Sequence, residues 1–121
     1  MSVGARSWKI QLTAAAEANF EEVLRWTATQ FGEAQARIYA GTVSAALNEL
    51  AAGPTAAGAK KRDDILQGIF TFHVARKGRK SRHLVMFRVG HTADYEVIEV
   101  LRLLHDAMEL QRHLPVADEN M

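Results

Sequence analysis

The sequence predicts an α+β domain in which an antiparallel two-helix hairpin packs on a small antiparallel sheet. The order is an N-terminal edge strand, two helices, three strands and a short C-terminal helix. Three observations carry this reading. Phe70-Thr-Phe-His-Val-Ala-Arg76, Arg82-His-Leu-Val-Met-Phe-Arg-Val89 and Tyr95-Glu-Val-Ile-Glu-Val-Leu-Arg-Leu-Leu104 are rich in β-branched and aromatic residues, as strands are. The connections between them, Lys77 to Ser81 and Gly90 to Asp94, are too short for a parallel crossover, so the three strands form an antiparallel meander. Upstream, two long segments repeat apolar residues at helical spacing instead.

Each element has its own local signals. Trp8-Lys-Ile-Gln-Leu12 alternates apolar and polar residues, which fits a half-buried edge strand. Thr13 is placed to cap a helix from Ala14 to Gln30, with Glu17, Glu21 and Glu22 early, where the helix dipole favours them. Phe20, Val23, Leu24, Thr27 and Phe31 fall on one stripe of it. Gly32 breaks the pattern, and a second helix runs from Glu33 to Ala51 with Tyr39, Val43, Ala46, Leu47 and Leu50 on its stripe. So short a turn makes the pair an antiparallel hairpin. The stripes bearing Trp26, Phe31 and Tyr39 are read as core. Gly53-Pro54 stops the second helix, and the small residues to Ala59 form a surface connection.

The middle and last strands carry apolar residues at both parities, so both faces of the sheet are expected to be covered. After Leu104, Asp106 and Glu109 resemble a capping box, and Ala107, Leu110 and Leu114 recur at helical spacing up to Pro115. Residues 1–7 and 116–121 read as loose ends, and 1–121 as a single domain.

Composition excludes several classes. A chain of 121 residues, 48% hydrophobic and 24% charged, fits one globular domain. The absence of cysteine excludes disulfides and thiolate metal sites. No apolar run is long enough to span a bilayer and the N-terminus lacks a signal-peptide core, so the expected location is the cytoplasm, with no membrane partner. His105 and His113 lack the spacing that binds zinc on a helix, and His91 with Asp94 has no companion ligands, so no metal is expected. There is no glycine-rich phosphate loop, and no cofactor is expected.

Net charge is only +1, yet nine basic residues between Lys60 and Arg88 face only Asp63 and Asp64 there, leaving +7 against −6 for the rest. Such polarity suits a polyanion or an acidic protein, and equally a solvated hairpin tip. Arg88 shares parity with Leu84 and Met86, and Arg102 with Ile98 and Val100. An unpaired charge on an apolar face is costly, so each needs a partner such as Glu96 or Glu99, or else a phosphate or a partner's carboxylate. His73, His83 and His105 are the available proton carriers, with His73 and His83 placed to face each other across the hairpin. His105, beside Asp106, reads either as a hydrogen bond to the turn or as a catalytic imidazole.

The ordered set Trp8-Lys-Ile-Gln-Leu-Thr-Ala-Ala-Ala-Glu17, Trp26 with Phe31-Gly32, Gly53-Pro54, Arg62 with Gly68, Arg82-His-Leu-Val-Met-Phe-Arg88 and Val100-Leu-Arg-Leu-Leu-His-Asp106 resembles the toxin subunits of the RelE/ParE superfamily of bacterial toxin-antitoxin modules, the ParE branch above all. The resemblance implies a small growth inhibitor, a cognate antitoxin as partner, DNA gyrase as target, and higher-order toxin-antitoxin complexes. Arg76, Arg79, Arg82 and Arg88 are then the expected partner-binding residues. The alternative it leaves open is a RelE-like ribonuclease acting on messenger RNA at the ribosome, with Arg76, Arg82, Arg102 and His105 as candidate catalytic residues. A non-toxic binding domain on the same fold is the third. Nucleases of the RelE branch finish on a catalytic aromatic or imidazole, whereas this chain continues past His105, which favours the gyrase reading.

Overall fold

The structure is a computed structural model that describes residues 8–54, 58–75, 78–91 and 96–105, His91 by its backbone alone. The short C-terminal helix expected after Asp106 lies outside the described residues, as does Arg76. Strand β1 (Lys9–Leu12) leads into helices α1 (Ala14–Phe31) and α2 (Glu33–Leu50), followed by β2 (Lys60–Lys61), β3 (Phe70–His73), β4 (His83–His91) and β5 (Glu96–His105). The expected α+β architecture is present, with one strand more than the sequence signalled. Strand β2 is two lysines with no periodicity of their own, and it exists by pairing with Phe70 and Thr71 of β3.

The five strands lie in the order β1-β5-β4-β3-β2. The meander β3-β4-β5 is antiparallel as its short loops require, but β1 runs parallel to β5, pairing Lys9 with Val97 through Leu12 with Val100. The sheet is therefore mixed. Short-loop logic binds only consecutive strands, and β1 is separated from β5 by most of the chain.

Thr13 fixes the step from β1 to α1. Its hydroxyl accepts the Ala16 amide at 3.1 Å as an N-cap and donates to the Leu101 carbonyl at 3.0 Å, while its own amide bonds the Val100 carbonyl at 3.0 Å. The break between the helices is one residue, Gly32, whose φ of 96° suits glycine and whose amide closes α1 on the Ala28 carbonyl at 2.9 Å. Gly53 serves a different need: a Cβ there would meet Nε1 of Trp8 at 2.9 Å, so glycine lets α2's exit lie against the first strand.

One face of the sheet receives the helices. Ala16, Val43, Ala46 and Leu50 pack on Phe72, Val74, Val85, Phe87, Ile98, Val100 and Leu103, and the rings of Phe70 and Phe87 stack across strands at 5.2 Å. The other face buries Ile69, Met86, Leu101 and Leu104 beneath Leu66, so apolar residues at both parities are accounted for. A bulge in β5 enables this division. Phe87 faces Val100 while Met86 faces Arg102, leaving Leu101 as the extra residue that reverses parity. Leu103, rather than Arg102, thus continues the helix-facing row of Ile98 and Val100.

Trp26 and Phe31 are not core, in contrast to the expectation. They are 58% and 65% exposed and pack against each other edge to face at 5.8 Å. The inward position of that turn goes to Thr27, Trp26 lies about 100° further round, and Phe31 is the helix's last residue before Gly32. Leu50 is fully buried and Leu47 only partly so. Leu50→Ala is expected to cost about 2–5 kcal/mol and Leu47→Ala less, read from urea unfolding midpoints.

Candidate functional site

The start of β4 and the end of β5 meet under the tip of the helical hairpin. Cross-strand pairing sets His83 opposite His105, with ring centroids 5.8 Å apart at 80°. Tyr39, on the sheet-facing side of α2, reaches the same point. Its hydroxyl lies 2.7 Å from Nδ1 of His83 and 2.5 Å from Oγ of Ser81, which also accepts the His83 amide at 3.0 Å. These bonds hold the His83 ring with Nε2 turned away from Tyr39. Burial pushes the Tyr39 phenol above its usual range, and the bond with Ser81 offsets part of that shift.

Around this network opens a cleft of about 270 Å³, lined by Trp26, Thr27, Phe31, Gln35, Tyr39, Arg82, His83 and His105. Four elements build it: the last turns of α1, the first turns of α2, the start of β4 and the end of β5. A second, apolar cavity of about 170 Å³ lies between the helices and the sheet beside Phe20, Leu24, Val43 and Leu47. No group of three or more metal-ligating side chains occurs among the described residues. No described helix is long and apolar enough to cross a membrane.

Residues 10–110 match the family described as the ParE toxin of type II toxin-antitoxin system, parDE. The chain belongs to the ParE toxin family. The match runs from within β1 to beyond β5, so it covers both helices and all of the sheet but the first residue of β1. No curated protein matches the chain. Membership in a ParE family implies an antitoxin partner.

In this ParE-family toxin, the arginines singled out from sequence fall into three settings. Arg82 is exposed and lines the cleft together with His105. Arg79 and Arg88 are engaged within the fold. Arg79 bonds Oε1 of Glu49 at 2.7 Å and the Val74 carbonyl at 2.8 Å, with only 15% of its side chain exposed. Arg88 bonds Glu99 at 2.7 Å across β4 and β5. Arg102 bonds Oδ1 of Asn19 at 2.9 Å, at the edge of β5 rather than in the cleft. Of the four ribonuclease candidates, the structure brings Arg82 and His105 together and places Arg102 apart; Arg76 is not among the described residues.

The expected facing of His73 and His83 does not occur. Strand register sets His73 opposite Leu84 and gives His83 to His105 instead. Sequence reasoning missed Tyr39, Ser81, Trp26 and Phe31 as parts of one site. The available signal was aromatic residues clustered at a helix break, where a hairpin tip projects beyond the core.

The buried phenol gives a pH test. The folded state holds the Tyr39 proton more tightly than the unfolded chain does, so its contribution is constant below about pH 10 and declines as pH rises through the raised folded value. Tyr39→Phe is expected to lower stability at neutral pH by about 1–2 kcal/mol through its lost hydroxyl bonds and to remove that alkaline decline. Urea midpoints of both proteins between about pH 8 and 12 would show it.

Proposed function

We propose that this ParE-family toxin arrests growth from the cytoplasm by acting on DNA gyrase, and that a cognate antitoxin neutralises it. The observation that carries the reading is the family match over residues 10–110. The site geometry supports it indirectly. Metal-free ribonuclease chemistry asks for a base, an acid and several cations around one phosphate. Here Arg102 is bonded to Asn19 outside the cleft, and Nδ1 of the imidazole beside His105 is bound to Tyr39. The whole chain, residues 1–121, acts as a single toxin domain in this reading.

An acidic antitoxin segment complements the exposed Lys80 and Arg82. Arg79 and Arg88 suit that role less, because their guanidinium groups already bind Glu49 and Glu99. Arg82→Glu is therefore expected to weaken antitoxin binding by about tenfold or more in calorimetry, and unchanged affinity would remove Arg82 from the interface.

The target is tested by induced expression with and without the antitoxin. The expected outcome is growth arrest with gyrase-dependent DNA breaks and a DNA-damage response, messenger RNA intact, and toxicity retained in folded His105→Ala. Loss of an essential imidazole costs about 10² to 10⁴-fold in rate, so a ribonuclease would lose both toxicity and cleavage in that variant. Site-specific transcript cleavage by the wild type that vanishes in His105→Ala would replace gyrase with messenger RNA as the target.

A further inference from the structure

The two helices rest on the sheet without filling the space beneath them. In α1 only the small residues Ala16 and Thr27 are buried, whereas the larger Phe20, Val23 and Leu24 are partly so. Between these three, Val43 and Leu47 of α2 and Leu103 of β5 lies the apolar hollow of about 170 Å³. Interiors are close-packed, and voids larger than a water molecule are few in any domain. Leu12 and Ser44 are the exposed members of the lining and mark where it opens. The described residues around it carry no charged group, and Tyr39, the one ionisable side chain among them, has its hydroxyl engaged by His83 and Ser81. Ser44 supplies a hydroxyl at the opening. Thr27, Thr29 and Thr42 each donate theirs to the carbonyl four residues back, and no such bond holds Ser44 among the described residues. An ordered water needs about two to four polar partners, and of the described side chains here Ser44 alone offers one, so the hollow holds water poorly.

We propose that this hollow binds a small uncharged aromatic compound carrying one hydroxyl or N–H group, of the phenol or indole class, with its ring against Phe20, Leu24 and Leu47 and its polar group on Ser44. The volume sets the size. An apolar cavity of about 150 Å³ takes up benzene, so a hollow of about 170 Å³ suits a ring compound of about six to nine non-hydrogen atoms. Drug-sized molecules need about 300–1,000 Å³ and do not fit. The lining sets the chemistry. A carboxylate or ammonium on the ring would lose its hydration against walls that offer no opposite charge. A flexible chain of the same volume would lose more rotational freedom on entering than a rigid ring does. Tyr39 walls both this hollow and the cleft at the strand ends, so the bound ring packs against the side chain that holds His83. Such binding is independent of which target the toxin has.

The test titrates phenol, indole and benzene, with benzoate as the charged counterpart, into the full-length toxin, followed by two-dimensional NMR and thermal unfolding. Phenol and indole are expected to bind with a Kd of about 1 mM or below and to raise Tm by about 3 °C or more at about ten times Kd, while benzoate does not bind. Ser44→Ala should weaken phenol and indole by about threefold or more and leave benzene unchanged. Ala40 and Ser44 both line the hollow, so Ala40→Leu and Ser44→Leu each put a larger side chain into it and should abolish binding, with unchanged circular dichroism establishing that the variant is folded. Trp26→Ala, in the neighbouring cleft, should bind as the wild type does. Absence of phenol and indole binding at about 10 mM, equal binding of benzoate, no loss in Ser44→Ala, binding that survives in the folded leucine variants, or binding lost in Trp26→Ala would each overturn the proposal. So would a hollow that receives an antitoxin side chain instead, seen as folded Ala40→Leu weakening antitoxin binding while neither ring compound binds.

Discussion

The junction at Thr13 is the contact on which the other placements depend. One side chain caps α1, bonds the carbonyl of the bulge residue Leu101, and leaves its amide on Val100, so the first helix is tied to the sheet where β5 changes parity. The helical hairpin inherits its position from that tie. With only Gly32 between them, α2 must return alongside α1, and this return carries Tyr39 to His83 and sets Trp26 and Phe31 over the start of β4 and the end of β5. Loss of a capping hydroxyl of this kind typically costs about 1 kcal/mol at a helix end. Here it would also free the carbonyl of Leu101 at the bulge.

Part of the basic character of the middle of the chain is matched by acidic residues of the fold. Arg62 holds Asp64 through two bonds of 3.0 Å, and this lowers the carboxyl of Asp64 below its ordinary range. Arg88 is matched by Glu99. Arg79 has a structural task, because its largely enclosed pair with Glu49 fastens the β3–β4 connection to the last turn of α2. A charge taken out of water is tolerable only with such a partner, and removal of either member would strand the other. The exposed cations among the described residues of this stretch include Lys60, Lys61, Lys80 and Arg82.

The elements were legible in the sequence because their signals are local. Thr13, Gly32 and the apolar stripes placed both helices to within a residue, the period-two pattern placed β1, and β-branched and aromatic runs joined by short connections placed the meander. What failed was whatever depends on partners distant in sequence. The bulge at Leu101 has no signature in Val100-Leu-Arg-Leu, and without it the parity argument set Arg102 on the helix-facing row. Strand register, which pairs His83 with His105 rather than His73, cannot be read from either strand alone. Of the candidate site, Arg82 and His105 were visible as residue types. Their meeting with Tyr39, Trp26 and Phe31 depends on how the hairpin tip overhangs the strand ends, which periodicity does not encode.

Asn19 has a consequence beyond its bond to Arg102. β1 pairs with β5 only as far as Val100, and past that point β5 would present bare main-chain groups at the margin of the sheet. Instead, Oδ1 of Asn19 takes the Leu103 amide at 3.1 Å, while Thr13 takes the carbonyls of Val100 and Leu101. The first turns of α1 thereby stand in for a sixth strand. Such margins are where sheets recruit foreign strands and begin to aggregate. In this protein, self-association through that margin would first require the start of α1 to come away, so the same side chains that seat the helix also keep the molecule from polymerising there.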